Sequence, residues 1–577
     1  MPSVSAHVAL TLAQQIDAVF GVMGNGNAYF LDALERQTPA TFTAVRHEQG
    51  AVVAADAHYR ASGRIAAGTA TYGAGFTNTL TALAESVQAR IPLVLIVGDE
   101  PTSGPRPWDV DQIALASAVG ARTYTVGRTD AAATTVIAIE HALSYRLPVV
   151  LAIPYDVAAV DAGDVPAVSA PRAPEPLGVH GEFASGMLDE IAAALASAQR
   201  PLLLAGRGAW LAGAGPALGE LTEATGALTA STALGRGIFP NASYDLGVTG
   251  GFGADGAMST VREADVAVVF GASLNQFTMR FGELFAPGTA VFQVDVAPAA
   301  THPHVGGYVR GDARLVAEAL VERVAQPSAL HNSGDFPQNP QLSDAATPVS
   351  ASPSGVMHAA WRESVDIETA RTYEPGDDLA PDGRLDPRSA ARRIGELLPA
   401  DRYVVSDGGH FLGWSNMYWP VASPDRVMMV GTAFQAIGLG WPSVVGASRA
   451  QPDSTIVLTS GDGGGLMAIA DLESAVRTAR GRGCAVIWND AAYGAEVNLY
   501  GLKGLAEAPM RIPEVDFASL AAAVGAEGVV VRTLADLERL GTWSTEDPAQ
   551  RRFLLLDLRI SGDVIAPYQQ EIIRVNS

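Results

Sequence analysis

The chain has 577 residues, of which 48% are hydrophobic and 17% are charged, which is typical of a soluble protein with several α/β domains. Its formal net charge of −23 disfavours nucleic acids and anionic membranes as partners, because both repel an acidic surface. The single cysteine, Cys484, excludes an intrachain disulfide, and its apolar neighbours predict a buried, inert thiol. We expect a cytoplasmic protein, since the sequence shows neither a signal-peptide pattern nor an apolar stretch of membrane-spanning length.

The first predicted domain, residues 1–165, alternates short apolar strands with segments of helical periodicity. Its strand candidates are 18–22, 41–45, 65–69, 92–97 and 148–153, and its clearest helical segments are 50–60 and 131–143. Strands that alternate with helices are typical of a parallel sheet covered on both faces.

Two further α/β domains are predicted after a Pro- and Ala-rich linker at 165–177. The central domain covers 185–325, with strands at 200–206, 264–270 and 290–295. Residues 326–384 are rich in Pro, Ser and Asp, which predicts a linker with little regular structure. The third domain covers 385–577, with strands at 403–406, 455–459, 484–488, 528–531 and 553–557 and a helix at 466–480. The expected fold is therefore three doubly wound parallel-sheet domains.

A glycine-rich turn, Gly461-Asp462-Gly463-Gly464-Gly465, follows a strand of the third domain and opens a helix. Glycines allow close approach of the backbone, and a helix start attracts phosphate. The carboxylate of Asp462 would repel phosphate unless a cation intervened, and Asn489 offers a neutral oxygen at the end of the next strand. This oxygen-rich set predicts Mg²⁺ and a diphosphate. The alternative is an ordinary turn and a strand cap.

A carboxylate stands at a strand-to-helix turn of the first domain, in Arg46-His47-Glu48-Gln49-Gly50. By itself, Glu48 is also explained as a first-turn helix residue. Together with the glycine-rich turn and Asn489, this segment resembles the thiamine diphosphate enzymes, in the branch of acetohydroxyacid (acetolactate) synthase, benzaldehyde lyase and pyruvate decarboxylase. The resemblance spans nearly the whole chain and implies pyrimidine-binding, central and diphosphate-binding domains, in that order.

The resemblance implies thiamine diphosphate and Mg²⁺ as cofactors. The protein ligands of the metal would be Asp462, Asn489 and the backbone carbonyl of Ala491, with Tyr493 and Gly494 beside them. The family has a second asparagine where this chain has Trp488, and that position does not bind the metal.

Two more segments are assigned to the cofactor by the same resemblance. Gly408, Gly409 and His410 would touch the diphosphate, although His410 is also explained as a surface residue at a helix start. Ile437 would be the bulky residue over which the cofactor bends, and the carbonyl of Gln435 would bind the aminopyrimidine. Ile437 is equally explained as a core residue.

Glu48 matches the glutamate that activates the cofactor in this family. A carboxyl group held against the aminopyrimidine ring makes its exocyclic nitrogen basic enough to take the thiazolium C–H proton. In the family this glutamate meets a cofactor bound by the partner subunit, which implies a homodimer or homotetramer with active sites at the subunit interface.

The substrate end is predicted from four positions. Asn25 would face the reacting carbon, or else is a turn asparagine. Gly73 lies in a Gly-rich turn that lines the same cavity in the family. Pro107-Trp108 replaces a Phe-Gln pair of acetohydroxyacid synthases, which places Trp108 at the acceptor pocket. Glu496 would donate a proton to the substrate or start a solvated helix, and the second interpretation is favoured.

These residues predict an acetolactate-synthase-like enzyme, which decarboxylates a 2-oxo acid and joins the remaining acyl unit to a second carbonyl compound. The alternatives are a non-oxidative 2-oxo acid decarboxylase and a benzaldehyde-lyase-like acyloin lyase. A noncatalytic subunit and a nicotinamide dehydrogenase are less favoured. Some relatives hold FAD in the central domain, where the Gly-Arg-Gly of 206–208 is weak support, and we favour a purely structural central domain.

Overall fold

The computed structural model of the protein describes residues 1–325 and 355–576. These residues form three parallel six-stranded sheets flanked by helices, which confirms the predicted fold class. The sheets are divided between two compact units. The first unit contains residues 1–174, 375–420 and 425–577, and the second contains 175–374 and 421–424.

The first sheet has the strand order β2-β1-β3-β4-β6-β5. Its strands are β1 (Ala18–Gly21), β2 (Thr41–Ala44), β3 (Ala66–Ala70), β4 (Leu93–Asp99), β5 (Arg122–Thr125) and β6 (Pro148–Pro154). The helices of this part of the chain are α1 (Val4–Leu12), α2 (Ala28–Gln37), α3 (Glu48–Ser62), α4 (Ala74–Thr77), α5 (Leu80–Gln88), α6 (Gln112–Ala118) and α7 (Ala131–Tyr145). Only β5 was not predicted, because it is a partly exposed edge strand without an apolar run.

The sheet of the second unit has the order β12-β11-β10-β7-β8-β9. Its strands are β7 (Pro201–Ala205), β8 (Leu228–Ser231), β9 (Asp245–Val248), β10 (Val266–Phe270), β11 (Ala290–Asp295) and β12 (Val305–Arg310). Its helices are α8 (Glu182–Ser197), α9 (Arg207–Leu211), α10 (Gly215–Thr225), α11 (Asp255–Arg262), α12 (Ala313–Ala325), α13 (Gly355–Ser364) and α14 (Ile367–Ala370). The prediction of little regular structure in 326–384 is therefore wrong for α13 and α14, and residues 326–354 lie outside the described residues.

The third sheet has the order β14-β13-β15-β16-β18-β17 and belongs to the first unit. Its strands are β13 (Tyr403–Ser406), β14 (Val427–Met429), β15 (Ile456–Gly461), β16 (Gly483–Asn489), β17 (Glu527–Val531) and β18 (Leu554–Arg559). Its helices are α15 (Pro387–Leu397), α16 (Leu412–Tyr418), α17 (Gly440–Ala450), α18 (Asp462–Met467), α19 (Leu472–Ala479), α20 (Gly494–Glu496), α21 (Phe517–Ala523), α22 (Glu538–Thr545) and α23 (Pro567–Asn576).

The single helix predicted at 466–480 is wrong, because α18 and α19 are separate helices joined by a 3₁₀ turn at Ile469–Asp471. The buried carboxylate of Asp471 accepts hydrogen bonds from the backbone N–H of Arg46 (2.7 Å) and from Ser474 Oγ (2.8 Å). These bonds satisfy Asp471 at the point where the second helix starts.

Helices α3 and α17 pack directly against each other inside the first unit. A Cβ atom on Gly446 of α17 would lie 2.1 Å from the carbonyl oxygen of Ala54 of α3, so only glycine allows this approach. The first and third sheets thereby share one apolar core.

Cys484 lies in β16 and is fully buried, as predicted. Burial raises the pKa of its thiol to about 12, which makes it unreactive at neutral pH. Within the described residues, no helix has the length and apolarity needed to cross a membrane.

Candidate functional site

Asp462 and Asn489 lie side by side at the carboxyl ends of β15 and β16. These strands pair in parallel with Gly461 opposite Trp488, so the next residues along the two strands are Asp462 and Asn489. The other neighbour of β15 is β13, whose end leads into the 407–410 turn. Ligands of doubly wound sheets bind beyond the carboxyl ends of the strands where the strand order reverses. This edge is therefore the candidate cofactor site.

Each of these two side chains presents a buried oxygen that lacks a hydrogen-bond partner among the described residues: Oδ2 of Asp462 and Oδ1 of Asn489. The amide of Asn489 is oriented by donation from Nδ2 to Asp557 Oδ1 (2.9 Å) and to the carbonyl of Val515 (3.1 Å). A buried, unsatisfied polar atom costs about 1–3 kcal/mol. A hard divalent cation would satisfy both oxygens, so the residues fit Mg²⁺.

A metal site here would need the amide oxygen of Asn489 and the backbone carbonyl of Ala491, because carboxylates alone do not form one. In residues 1–325 and 355–576, no group of three or more His, Cys, Asp or Glu side chains is placed to hold a metal ion. A metal at Asp462 would therefore depend on neutral protein oxygens and on ligand phosphates, as the sequence predicts.

A histidine and a second carboxylate adjoin Asp462. His410 Nε2 lies 3.0 Å from Asp490 Oδ2. Burial by itself would lower the pKa of His410, but the Asp490 carboxylate raises it above its ordinary value. Burial, followed by repulsion from Asp490, raises the pKa of Asp462 to about 7. A cation is what would allow Asp462 to ionise readily at this edge.

We expect Mg²⁺ binding to weaken as the pH falls below about 7, the pKa of Asp462. The carboxyl group must lose its proton to bind metal, so the apparent affinity should fall by up to about tenfold per pH unit below that pKa. The pKa of Asp462 is higher in the folded protein than in the unfolded chain, so protonation of Asp462 stabilises the folded, metal-free protein. This contribution to the free energy of unfolding is lost as the pH rises through about 7.

Calorimetric titration of Mg²⁺ in the presence of thiamine diphosphate, at about pH 6 and about pH 8, checks this expectation. Asp462→Asn should bind Mg²⁺ weakly and lose the pH dependence that the protein adds. The same affinity at both pH values in the unsubstituted protein would contradict the expectation.

The turn after β13 touches the loop that precedes α17. A Cβ atom on Gly408 would lie 2.7 Å from the carbonyl oxygen of Ala436 and 3.1 Å from Cγ2 of Ile437, so the approach requires glycine. Asp407 Oδ1 accepts hydrogen bonds from the backbone N–H groups of Gly408 (2.8 Å) and Leu439 (3.1 Å). The structure thus brings the turn with Gly408 to Ile437.

Gln435 and Ile437 lie in the same loop, beside the glycine-rich turn. Gln435 has a φ of +58° and is exposed, whereas Ile437 is half-buried. A Cβ atom on Gly438 would lie 3.3 Å from the carbonyl oxygen of Gly464, so the loop borders α18, which begins at Asp462. This position supports the assignment of Gln435 and Ile437 to the cofactor, which stays a prediction.

The segment after β16 returns to this edge. A Cβ atom on Gly463 would lie 2.6 Å from the Tyr493 ring, and one on Gly494 would lie 2.4 Å from His410 Nε2. The structure therefore brings together Gly463, Tyr493, Gly494 and His410.

Ala491, the predicted carbonyl ligand, has a φ of +57°, which is rare for a residue other than glycine. Its carbonyl oxygen accepts a hydrogen bond from the backbone N–H of Ile512 (2.9 Å). A carbonyl has a second lone pair, which a metal can use. Glu496 is exposed at the end of α20, which fits the solvated-helix interpretation.

Glu48 is the first residue of α3 and is half-buried. Its Oε2 accepts a hydrogen bond from Asn78 Nδ2 (3.0 Å). The helix is capped by His47, whose Nδ1 accepts from the backbone N–H of Gln49 (3.2 Å), so Glu48 is not required as the cap. These contacts keep Glu48 among the loops at the carboxyl ends of the first sheet.

Asn25, the predicted substrate-facing residue, is exposed in the loop after β1. Its Nδ2 donates a hydrogen bond to Tyr72 Oη (2.9 Å), and the Tyr72 ring lies 4.1 Å from Arg106 Cζ. Arg106 in turn donates hydrogen bonds to both carboxylate oxygens of Asp109 (2.8 Å each). Asn25 is thus held by a chain of polar and cation–π contacts.

Gly73 and Trp108 meet at the same edge of the first sheet. A Cβ atom on Gly73 would lie 2.8 Å from the Trp108 carbonyl oxygen, and the backbone N–H of Gly73 donates to Gln112 Oε1 (3.1 Å). Trp108 is 60% exposed as a residue, and its ring centroid lies 5.6 Å from Arg106 Cζ. Three predicted substrate positions, Asn25, Gly73 and Trp108, therefore lie together around Arg106.

Sequence reasoning missed Asp490, Tyr72 and Arg106, which contact predicted site residues. Asp490 and Tyr72 each adjoin a predicted residue in sequence, and this was the available signal. Nothing in the sequence indicates that Arg106 stacks on Tyr72.

Comparison with known protein families gives one matching family model for each of the three sheets. The chain matches three family models, described as the N-terminal TPP binding domain of thiamine pyrophosphate enzymes (residues 2–119), their central domain (188–320) and their C-terminal TPP binding domain (407–557).

Individual relatives are distant but cover most of the chain. Acetolactate synthase isozyme 3 large subunit of Escherichia coli (strain K12) is 26% identical, over 95% of this chain and 93% of that protein. Sulfoacetaldehyde acetyltransferase of Alcaligenes xylosoxydans xylosoxydans is 27% identical, over 92% and 88%. Acetolactate synthase isozyme 2 large subunit of E. coli is 29% identical, over 81% and 79%.

Proposed function

The chain belongs to the thiamine pyrophosphate enzymes, and on that premise we propose that it is a Mg²⁺-dependent, acetolactate-synthase-like carboligase. It decarboxylates a 2-oxo acid and joins the remaining acyl unit to the carbonyl group of a second substrate. The observation that carries the cofactor assignment is the pair of buried, unpartnered oxygens of Asp462 and Asn489.

The third sheet would hold the diphosphate end of the cofactor. Asp462, Asn489 and the carbonyl of Ala491 would bind Mg²⁺. The phosphates would lie at the start of α18 and the turn of 408–410, where His410 bears a raised pKa and can donate a hydrogen bond. Bound thiamine diphosphate supplies a nucleophilic carbon and accepts the electrons released when CO₂ leaves.

The first sheet would hold the pyrimidine end. Glu48 keeps its carboxyl group at the start of α3 through the hydrogen bond from Asn78 and would hold a proton at the aminopyrimidine ring. We propose that Glu48 does so for a cofactor bound by a second copy of the chain, in a homodimer or homotetramer.

Asn25 and Trp108 would shape the substrate end. Asn25 is neutral and is oriented by Tyr72, so it can hydrogen-bond a carboxylate or a developing oxyanion without adding charge. Trp108 is large, exposed and next to Gly73, and would narrow the space for the acceptor.

The test is to supply purified protein with thiamine diphosphate, Mg²⁺ and pyruvate, and to follow CO₂ release and products by mass spectrometry. Acetolactate or acetoin supports the proposal. Acetaldehyde as the sole product would favour a simple decarboxylase, and no turnover with bound cofactor would reject pyruvate as the donor.

A second candidate comes from the relative named sulfoacetaldehyde acetyltransferase. To separate the two candidates, sulfoacetaldehyde replaces pyruvate, with and without inorganic phosphate as acceptor of the acetyl group. Loss of sulfoacetaldehyde and formation of products are followed by mass spectrometry, because this substrate has no carboxyl group to release as CO₂. Turnover with sulfoacetaldehyde and none with pyruvate would replace the first proposal with the second.

A further inference from the structure

The loop of residues 430–439, which joins β14 to α17, carries both Gln435 and Ile437. Hydrophobic burial contributes little to fixing the conformation of the middle of this loop, because residues 432–435 are exposed and Phe434 is 49% exposed. Gln435 nevertheless adopts a φ of +58°, a region that disfavours residues other than glycine. Such a conformation persists only where the surroundings impose it.

Glu85 of α5 holds the first half of this loop. Its Oε1 accepts a hydrogen bond from the backbone N–H of Gly431 (3.0 Å), and its Oε2 accepts one from the backbone N–H of Phe434 (2.7 Å). The Glu85 residue is 1% exposed. One buried carboxylate therefore fixes a backbone position just before the exposed part of the loop and another within it.

Arg60 of α3 supplies the opposite charge. Its guanidinium donates to Glu85 Oε1 (3.3 Å) and to the carbonyl of Met429 (3.0 Å), the last residue before the loop. Asp56 accepts from the same guanidinium (2.5 Å). The three charged side chains are at most 4% exposed, and each is paired, as buried charges must be.

Asp407 holds the other end of the loop. Its Oδ1 accepts from the backbone N–H of Leu439 (3.1 Å), and its Oδ2 accepts from Ser460 Oγ (3.0 Å). Inside the loop, the backbone N–H of Ala436 donates to the carbonyl of Gly431 (2.8 Å). The loop is thus held by a buried carboxylate at each end.

We propose that Glu85, paired with Arg60, is a positioning residue that sets the 430–439 loop so that Gln435 and Ile437 meet the cofactor. The inference rests on the proposed function, since the two loop residues act only if thiamine diphosphate binds. Glu85 itself does not touch the reacting atoms. It acts through the backbone that it holds.

The first test measures the loop without any cofactor. In Glu85→Gln, one carboxylate oxygen becomes an NH₂ group that faces a backbone N–H. The amides of residues 431 and 434 should then exchange with deuterium about 10- to 100-fold faster, as seen by mass spectrometry of the loop peptide. Unchanged exchange in a folded variant would overturn the proposal.

The second test measures the cofactor in the assembled holoenzyme with saturating thiamine diphosphate and Mg²⁺. Deuterium exchange at C2 of the bound thiazolium, read by NMR after acid quench, should slow by about 10- to 100-fold in Glu85→Gln, because small displacements at a reacting centre have effects of this size. Exchange within about twofold of the unsubstituted protein would overturn the proposal.

Two variants separate positioning from general loss of stability. Asp245→Asn alters another buried carboxylate, which lies in the second unit and accepts a hydrogen bond from the backbone N–H of Gly247 (3.0 Å). This variant should have a lower Tm, but its C2 exchange should equal that of the unsubstituted protein. Glu85→Asp keeps the charge but is too short to reach both amides, and it replaces Glu85→Gln in both tests if that variant does not fold. Its C2 exchange should be slower than that of the unsubstituted protein but faster than that expected for Glu85→Gln. Wild-type C2 exchange in Glu85→Asp would overturn the proposal.

A failure of the proposed function gives a different result. If the unsubstituted protein neither binds thiamine diphosphate nor exchanges its C2 proton, the function is rejected. The cofactor-free amide exchange at residues 431 and 434 would still report whether Glu85 holds the loop.

Discussion

Replacement of Glu48 by glutamine is expected to leave the protein folded and able to bind thiamine diphosphate, while turnover falls by about 10²- to 10⁴-fold. Glutamine has the size of glutamate and can accept the hydrogen bond from Asn78. Its amide has no acidic proton to exchange with the aminopyrimidine ring, so activation of the cofactor is lost. Because His47 caps α3, the helix start does not depend on this carboxylate.

The measurements are CO₂ release at saturating substrate, C2 deuterium exchange of the bound cofactor, and cofactor affinity by calorimetry. Glu473→Gln is the matched control, because Glu473 is a half-buried carboxylate, as Glu48 is, and forms ion pairs with Arg46 and Arg477 (2.8 Å each). We expect this control to keep wild-type turnover. Wild-type turnover in Glu48→Gln would remove Glu48 from the activation step.

Replacement of Asp462 by alanine is expected to abolish Mg²⁺-dependent retention of the cofactor. Loss of partners that only orient metal ligands already weakens metal sites about 10- to 100-fold, so loss of a direct ligand should cost at least about 100-fold in affinity. The metal-free protein should not be destabilised at neutral pH, because burial and Asp490 raise the pKa of this carboxyl to about 7. Lost binding would therefore be separable from lost folding.

The experiment compares cofactor that remains bound after gel filtration with and without Mg²⁺, together with Tm of the metal-free forms. Asp453→Ala is the control, since Asp453 is exposed in the turn before β15, at the end of that strand away from Asp462. Tight cofactor binding by Asp462→Ala, or by the unsubstituted protein without metal, would show that the metal site is wrongly placed.

Local patterns in the sequence were sufficient for most strands of the three sheets and for the residues at their edges. Buried parallel strands such as β4, β6 and β16 are short apolar runs, and these are visible in the sequence. Five strands were not predicted: β5 and β12 are partly exposed edge strands, and β8, β9 and β14 have only three or four residues. Glycine-rich turns directly after apolar runs likewise indicated Asp462 and Glu48 as edge residues.

The sequence by itself determined the fold class, the family and the residue types at the strand ends, because each depends on neighbours close in the chain. Only the tertiary structure decided that His410 pairs with Asp490, that Tyr72 orients Asn25, and that Glu85 holds the loop of Gln435. These contacts join residues that are tens to hundreds of positions apart, and burial decides their strength. Hydrophobic periodicity carries no record of which polar side chains meet across two packed sheets, so that part of the site required the structure.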